Sequence, residues 1–215
     1  IGSGLVGSEM CIRDSTNPYQ LTEADRTVIG NTTPKFSGGF GLNATYKGFD
    51  MSMFFNFMYD FDVLNANKIM LTTWADNKEN NFLMDIASDK RWRNFDDMGN
   101  EIRYSPEVLA EFNKNATMWN PTSIGRPICM SYAVEDGSFL RLNSATLGYT
   151  LPSVWTKKVG LSKVRFYVSG NNLFTLTGYS GYDPEVNIAT GLTPNIDYDR
   201  YPRSRTYTFG AQLTF

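Results

Sequence analysis

The residue types that carry chemistry are unevenly represented in these 215 residues. There is no histidine, which removes the commonest general base and metal ligand together with every histidine-containing catalytic triad. No catalytic group is therefore assigned, and the chain is read as a non-enzyme. The two cysteines, Cys11 and Cys129, form no CxxC pair, and two thiolates alone do not make a zinc site. Four carboxylates, Asp183, Glu185, Asp197 and Asp199, are of the type calcium takes. Their spacing follows no calcium loop, so a solvated acidic surface is the simpler reading and no cofactor or metal is assigned. Gly39-x-Gly41-x-x-Ala44 fits a relaxed dinucleotide fingerprint, but that motif needs a helix after it, and here the chain continues as strand. Trp74, Trp92, Trp119, Tyr132, Tyr179 and Tyr182 carry rings on which sugar C–H faces stack or against which peptide side chains bury. They are candidate substrate contacts, and the commoner use of such rings is to hold large loops together.

The elements that would position these groups follow from a period of two. Phe36, Gly38, Phe40, Leu42, Ala44 and Tyr46 alternate with polar or small residues. After Lys47-Gly48, the residues Phe49, Met51, Met53, Phe55, Phe57 and Tyr59 do the same. This predicts a β-hairpin with strands near residues 36–47 and 49–60. Further strands are predicted near 138–150, 163–174 and 205–215. In the first of these Leu140 and Leu142 have the opposite parity to Ala145, Leu147 and Tyr149, which calls for a bulge near Asn143. In the second, Val164, Phe166 and Val168 oppose Arg165, Tyr167 and Ser169; the last puts Tyr207, Phe209, Ala211, Leu213 and Phe215 on one side.

Hairpin strands of about 11 residues exceed the five or six usual in globular sheets and match the roughly 9–11 that a tilted strand needs to cross a bilayer. Aromatics make up 14% of the chain, and each stripe opposes a small, polar face, as in a barrel with lipid outside and water within. No run of 18 apolar residues exists for a membrane helix. The net charge of −2 leaves no basic footprint for nucleic acid. Short links at 47–48 and 151–162 alternate with long ones at 61–137 and 175–204, the arrangement of short periplasmic turns and long extracellular loops. Within the first loop, Ser105-Pro106-Glu107 predicts a helix with Ser at the N-cap and Pro at N1. Asn81 to Phe95 is a second candidate helix. The fold class is thus all-β, an antiparallel transmembrane β-barrel segment. Five strands do not close a barrel, which starts at about eight, so the chain is read as a fragment. Residues 5–15 resemble a translated sequencing-adaptor artefact, and residues 1–15 are set aside as non-native. With neither a starting Met nor a signal-peptide pattern, the remainder, 16–215, reads as an internal or C-terminal piece.

Several segments then become specific. Asp136 to Asn143 (DGSFLRLN), Thr146 to Pro152 (TLGYTLP), Gly170 to Phe174 (GNNLF), Gly181 to Val186 (GYDPEV), Ile196 to Tyr198 and Arg205 to Phe215 resemble, in order and spacing, the end of SusC/RagA-type TonB-dependent outer-membrane transporters. Ile29 to Asn31, Pro34 and Tyr46 to Asp50 match the strands before it. The resemblance implies the last five strands of a barrel of about 22 in the outer membrane of a diderm bacterium. It also implies a plug and TonB box encoded elsewhere, energy from TonB-ExbB-ExbD, a SusD-like surface lipoprotein as lid, and nutrient import, with oligosaccharides as the first reading of the cargo and a peptide or other ligand as the alternative. Phe61 to Arg126 matches the family poorly, and substrate choice would lie there. Thr208-x-Gly210-x-x-Leu213-x-Phe215 has the spacing read by outer-membrane assembly machinery, an amphipathic strand ending in an aromatic that β-augmentation can capture. A soluble carbohydrate-binding β-sandwich and an outer-membrane barrel enzyme are the rival readings; the first requires two sheets with buried inner faces.

Overall fold

The computed structural model describes residues 27–73, 81–86, 90–121, 129–186, 195–198 and 200–215, and the backbone of 4–7. The chain divides into two compact units. One comprises residues 1–32, 63–135 and 187–199, the other residues 33–62, 136–186 and 200–215.

In the first unit, β1 (Gly4–Gly7) pairs antiparallel with β2 (Thr27–Asn31); β1 falls inside the segment that the sequence sets aside. The second unit opens with β3 (Phe36–Tyr46) and β4 (Phe49–Tyr59), paired residue for residue from Phe36↔Tyr59 to Tyr46↔Phe49. The link is a two-residue turn with Lys47 at φ 46° and Gly48 at φ 90°, and positive φ at both centres matches the twist of the flanking strands. Lys47 pays the steric cost of that region, which Gly48 avoids.

Next come β5 (Asp62–Asn65) and α1 (Ala66–Met70). Asn65 caps α1 by accepting the Lys68 backbone N–H at 3.3 Å. The helix predicted at Ser105-Pro106 is α2 (Pro106–Phe112), with Pro at its start; Ser105 is its N-cap residue but makes no side-chain cap bond. The helix expected over 81–95 is absent among the described residues. A single 3₁₀ turn occupies Met84–Ile86, and residues 91–95 pair with other segments instead of forming a helix. Trp92 N–H donates to Met118 O at 2.8 Å, Ile102 N–H donates to Asn94 O at 2.9 Å, and Phe95 bridges Glu101. Those partners lie outside the segment, so they win over local i→i−4 pairing.

β6 (Val134–Asp136) and β9 (Ile196–Asp197) flank β5 in a three-stranded sheet, with β9 parallel to β5. The first unit therefore has a core of its own. Ile86, Met118, Trp119 and Met130 form one buried cluster and Leu64, Ile69 and Ala133 another. The long link is a small packed body rather than an irregular loop.

The second unit is a five-stranded antiparallel sheet ordered β10-β8-β7-β4-β3, where β7 is Phe139–Thr150, β8 Lys163–Thr177 and β10 Thr206–Thr214. A short helix, α3 (Ser153–Thr156), and a 3₁₀ turn join β7 to β8. Its Thr156 is buried, and Gly160, at φ 73°, ends the turn. Both ladders of β7 shift register around Asn143, with Phe54↔Ser144 followed by Phe55↔Leu142. The bulge returns Leu140 and Leu142 to the side of Ala145, Leu147 and Tyr149. β8 runs three residues past the predicted end because Asn172, at φ 53°, absorbs the matching irregularity and its side chain donates to Ser204 O at 3.1 Å.

The register puts the apolar stripes of all five strands on one face. One row reads Ala44, Met51, Leu147, Val168 and Phe209. The opposite row reads Thr45, Asp50, Gly148, Tyr167 and Gly210. No second sheet covers the apolar face among the described residues: Leu42 is 49% exposed, Phe166 51% and Phe209 80%. That is the reverse of a soluble sandwich, whose inner faces must be buried. Strands of 11 residues, rising about 3.3 Å each and tilted about 45°, cover roughly 25 Å, the height of the apolar band of a membrane barrel.

Candidate functional site

Polar side chains on the inner face of the five-stranded sheet lie flat along it. Arg165 on β8 reaches across β7 to Asp50 on β4; its Nε donates to Oδ1 at 2.9 Å, and Nη2 makes a second contact to Oδ2. The path crosses Gly148, where a Cβ would come within 2.7 Å of the guanidinium carbon. Tyr167, whose ring lies 5.2 Å from Arg165 Cζ, covers Gly210 in the same manner. Phe54 covers Gly39. Glycines at these inward positions are therefore slots for neighbouring side chains. Gly39 and Gly41 stand in mid-strand in β3, without the following helix that a dinucleotide site requires.

At the other end of the same face stands a buried ion cluster. Arg141, on β7, has a side chain only 3% exposed, and its Nη2 donates to Asp183 Oδ1 at 2.5 Å. Its Nε lies 3.6 Å from Glu185 Oε2, while Arg203 Nη2 contacts Glu185 Oε1 at 2.8 Å. The Glu185 N–H also donates to Asp183 Oδ1, at 2.9 Å. Burial pushes the Asp183 carboxyl up, but the Arg141 hydrogen bond, the Glu185 N–H and the nearby guanidinium charges outweigh it and hold it below the ordinary carboxylate value. Arg141 thus ties residues 183–185 to the sheet, and Arg203 ties Glu185 to the link before β10.

Asp183 and Glu185 are spent on arginines rather than gathered around a cation. Asp197 is buried in the three-stranded sheet of the other unit, and Asp199 lies outside the described residues. Among the described residues no three His, Cys, Asp or Glu side chains are grouped as metal ligands.

The candidate aromatics separate by environment. In the first unit Trp119 is 3% exposed; its Nε1 donates to Thr72 O at 3.1 Å, and its ring meets Tyr132 edge-on at 5.2 Å. Tyr132 donates to Asp85 Oδ2 at 2.6 Å and carries the Lys68 ammonium 5.0 Å from its ring centre. Burial and then the Asp85 hydrogen bond push its phenol well above the ordinary value. Trp92 is half-buried. In the second unit Tyr179 is buried over Gly181, whereas Tyr182, next to Asp183, is 81% exposed. Trp74 lies outside the described residues. Of the six, Tyr182 alone presents a largely open ring among the described residues. Of the terminal motif, Thr208 and Gly210 face inward and Leu213 outward on β10, a marginal strand of the sheet, and Phe215 is 88% exposed beyond it.

Single-residue reading missed Arg141, Arg203 and the Asp50–Arg165 pair. The usable signal was parity, which with the bulge at Asn143 puts Arg141 and Arg165 on the inner face, where most positions are small or polar.

A continuous outward apolar band, an inner wall on which Arg141 and Arg165 are paired with carboxylates, and strands of bilayer length define a segment of an outer-membrane β-barrel. No family model matches the chain. TonB-dependent receptor P3 of Formosa agariphila is 35% identical over 202 residues, covering 91% of this chain and 18% of the receptor. TonB-dependent receptor SusC of Bacteroides thetaiotaomicron is 36% identical over 88 residues, 39% of this chain and 8% of SusC. Among solved structures, the RagAB peptide transporter superposes with a TM-score of 0.72 at 22% identity, covering all of this chain and 23% of that one. The RagAB peptide importer in its open-open state gives 0.67 at 23% identity, covering all of this chain and 21% of that one. The chain belongs to the SusC/RagA-type TonB-dependent transporters. It spans about a fifth of the length of the receptor it matches over nearly its whole extent.

Proposed function

We propose that the whole protein is an active importer in the cell outer membrane of a diderm bacterium, taking up oligosaccharides with a SusD-like lipoprotein as extracellular lid and TonB-ExbB-ExbD as its energy source. The observation that carries this is the two-faced sheet. Its apolar band suits lipid, and its inner wall keeps Arg165 against Asp50, so solute passes a smooth polar surface. In this role the chain breaks no bond and needs no catalytic residue. In the link after β8, exposed Tyr182 offers a ring for a sugar C–H face. The terminal residues Thr208, Gly210, Leu213 and Phe215 serve barrel assembly. Residues 1–15 are taken as non-native.

The solved RagAB relatives are described as peptide importers, so peptide cargo is the second reading. Calorimetric titration of the full-length transporter, with its lipoprotein, against an oligosaccharide panel and a mixed-peptide library separates the two. Saturable binding of a glycan, weakened at least tenfold by Tyr182→Ala, supports the first. Peptide binding alone supports the second, and binding of neither class, with no uptake, refutes import.

A further inference from the structure

The end of the sheet that carries the short links has a composition that the transport reading leaves unused. Residues 137–182 contain no Asp or Glu, while Lys157 and Lys158 stand exposed in the turn after α3. The exposed Lys47, in the hairpin turn, lies at the same end: Gly48 O accepts the Thr150 N–H at 2.8 Å. Asp50, the nearest carboxylate in sequence to Lys47, is engaged by Arg165 on the inner face. These three lysines are therefore not neutralised by it.

Apolar partners accompany the charge. Tyr46 belongs to the outward face, is 69% exposed, and carries the Lys47 ammonium 5.2 Å from its ring centre. Beside it on that face, the Phe49 and Tyr149 rings meet at 4.4 Å with a 36° tilt. In the other turn Val154, Trp155 and Val159 are 68%, 60% and 70% exposed, although buried Thr156 and the Leu161 N–H donated to Thr156 O at 3.1 Å fix the backbone. Rings at the rim of an apolar band sit at headgroup depth, and a lysine stem running over such a ring delivers its ammonium to the phosphate level.

We propose that this rim is a binding site for anionic glycerophospholipid headgroups of the adjoining leaflet, with Lys47, Lys157 and Lys158 contacting phosphate and Tyr46, Phe49, Tyr149 and Trp155 seated at the acyl boundary. It rests on the barrel reading, because the rim meets lipid only if the outward face does. Charge complementarity selects the occupant: a cationic collar beside an apolar band fits an anionic amphiphile better than a zwitterionic one.

The test uses the full-length transporter in nanodiscs of phosphatidylcholine and phosphatidylglycerol in equal amounts, and native mass spectrometry of the lipids it retains. The parent is expected to retain phosphatidylglycerol preferentially. Lys47→Gln should lower that preference about fivefold; the triple Lys47→Gln, Lys157→Gln, Lys158→Gln should lower it more than tenfold, and the three Lys→Arg changes should preserve it. Neutralising Lys90 and Lys114, in the other unit, should leave it unchanged. Equal retention of both lipids by the parent, or a triple variant with the parent's preference, overturns the proposal. Failure of the barrel reading looks different: a spin-labelled lipid would then not quench a fluorophore placed on outward Leu147 of β7.

Discussion

Replacing Arg141 by Met keeps most of the side-chain volume and removes the charge that links β7 to residues 183–185. In the parent this guanidinium is 3% exposed and bound to Asp183 at 2.5 Å, with Glu185 at 3.6 Å. Breaking a buried pair from one side costs about 3–5 kcal/mol, because the remaining charge stays buried without its partner. Here Glu185 keeps Arg203 at 2.8 Å and Asp183 keeps the Glu185 N–H at 2.9 Å, so the low end applies, about 3 kcal/mol. At about 1.4 kcal/mol per factor of ten, local opening should rise roughly a hundredfold. Hydrogen exchange followed by mass spectrometry on the full-length protein reads this at the amides of residues 179–186, with strands β3 and β4 as internal reference. Asp183→Asn should be milder, since the amide oxygen still accepts from Arg141. A protection loss under threefold in Arg141→Met, or an equal loss throughout β3 and β4, would refute that tie. The sign of the pH dependence follows from Asp183: its folded pKa is held below the ordinary 3.8. Its stabilisation is thus fully present above about pH 4 and is lost as pH falls through the lower folded value. Protection of residues 179–186 should be level from pH 7 to 5 and fall below 4; a fall between 7 and 5 would contradict the assignment.

Gly148→Ala should expel Arg165 from Asp50, since the added Cβ meets the guanidinium at 2.7 Å; the guanidinium ends a flexible side chain and can swing aside, so the cost is the small one of losing a partly exposed pair and should lower only slightly the temperature at which the full-length barrel loses its compact gel mobility. Ser105→Ala should change stability by under about 0.5 kcal/mol, because the α2 N-cap makes no side-chain bond, against about 1 kcal/mol for a bonded cap; a larger loss in a denaturant titration would show a cap that the structure lacks. Trp119→Ala should cost about 3–5 kcal/mol and unfold its unit, read as protease sensitivity of residues 81–121. Deleting Phe215 should reduce the amount of the protein in the outer membrane far more than ligand affinity; normal surface levels would contradict the assembly role. Sequencing across the source locus should give reads without residues 1–15; intact in-frame reads that encode them would make them native.

The barrel-like half of the molecule was legible because its physics is local and periodic. The alternation at Phe36 to Tyr59 fixes both faces, and the parity break between Leu142 and Ala145 reports the bulge at Asn143 before any partner strand is known. The start of α2 was equally plain from Ser105-Pro106. What failed to show has partners far away in sequence. Asp183 and Glu185 look like loose surface acids until Arg141, 42 residues from Asp183, is brought to them. Residues 81–95 read as a candidate helix, yet Trp92, Asn94 and Phe95 pair with Met118, Ile102 and Glu101. Nor does the sequence show which side chain lies down over each inward glycine, as Phe54 does over Gly39 and Tyr167 over Gly210. Among the aromatics, burial separates Trp119 from Tyr182, and burial in a small irregular body has no period to read.

The central claim is that the sheet meets lipid on one face and water on the other. Its most direct test is to place single cysteines at successive positions of β3, β4 and β7 in the full-length protein, with other cysteines replaced, in native outer membranes. Leu42, Met53 and Leu147 should be quenched by bilayer nitroxides and closed to a charged aqueous thiol reagent. Asn43, Ser52 and Thr146, one residue away from them on each strand, should show the converse. A period-two alternation running through all three strands is the predicted result; uniform aqueous labelling of both sets would contradict the account.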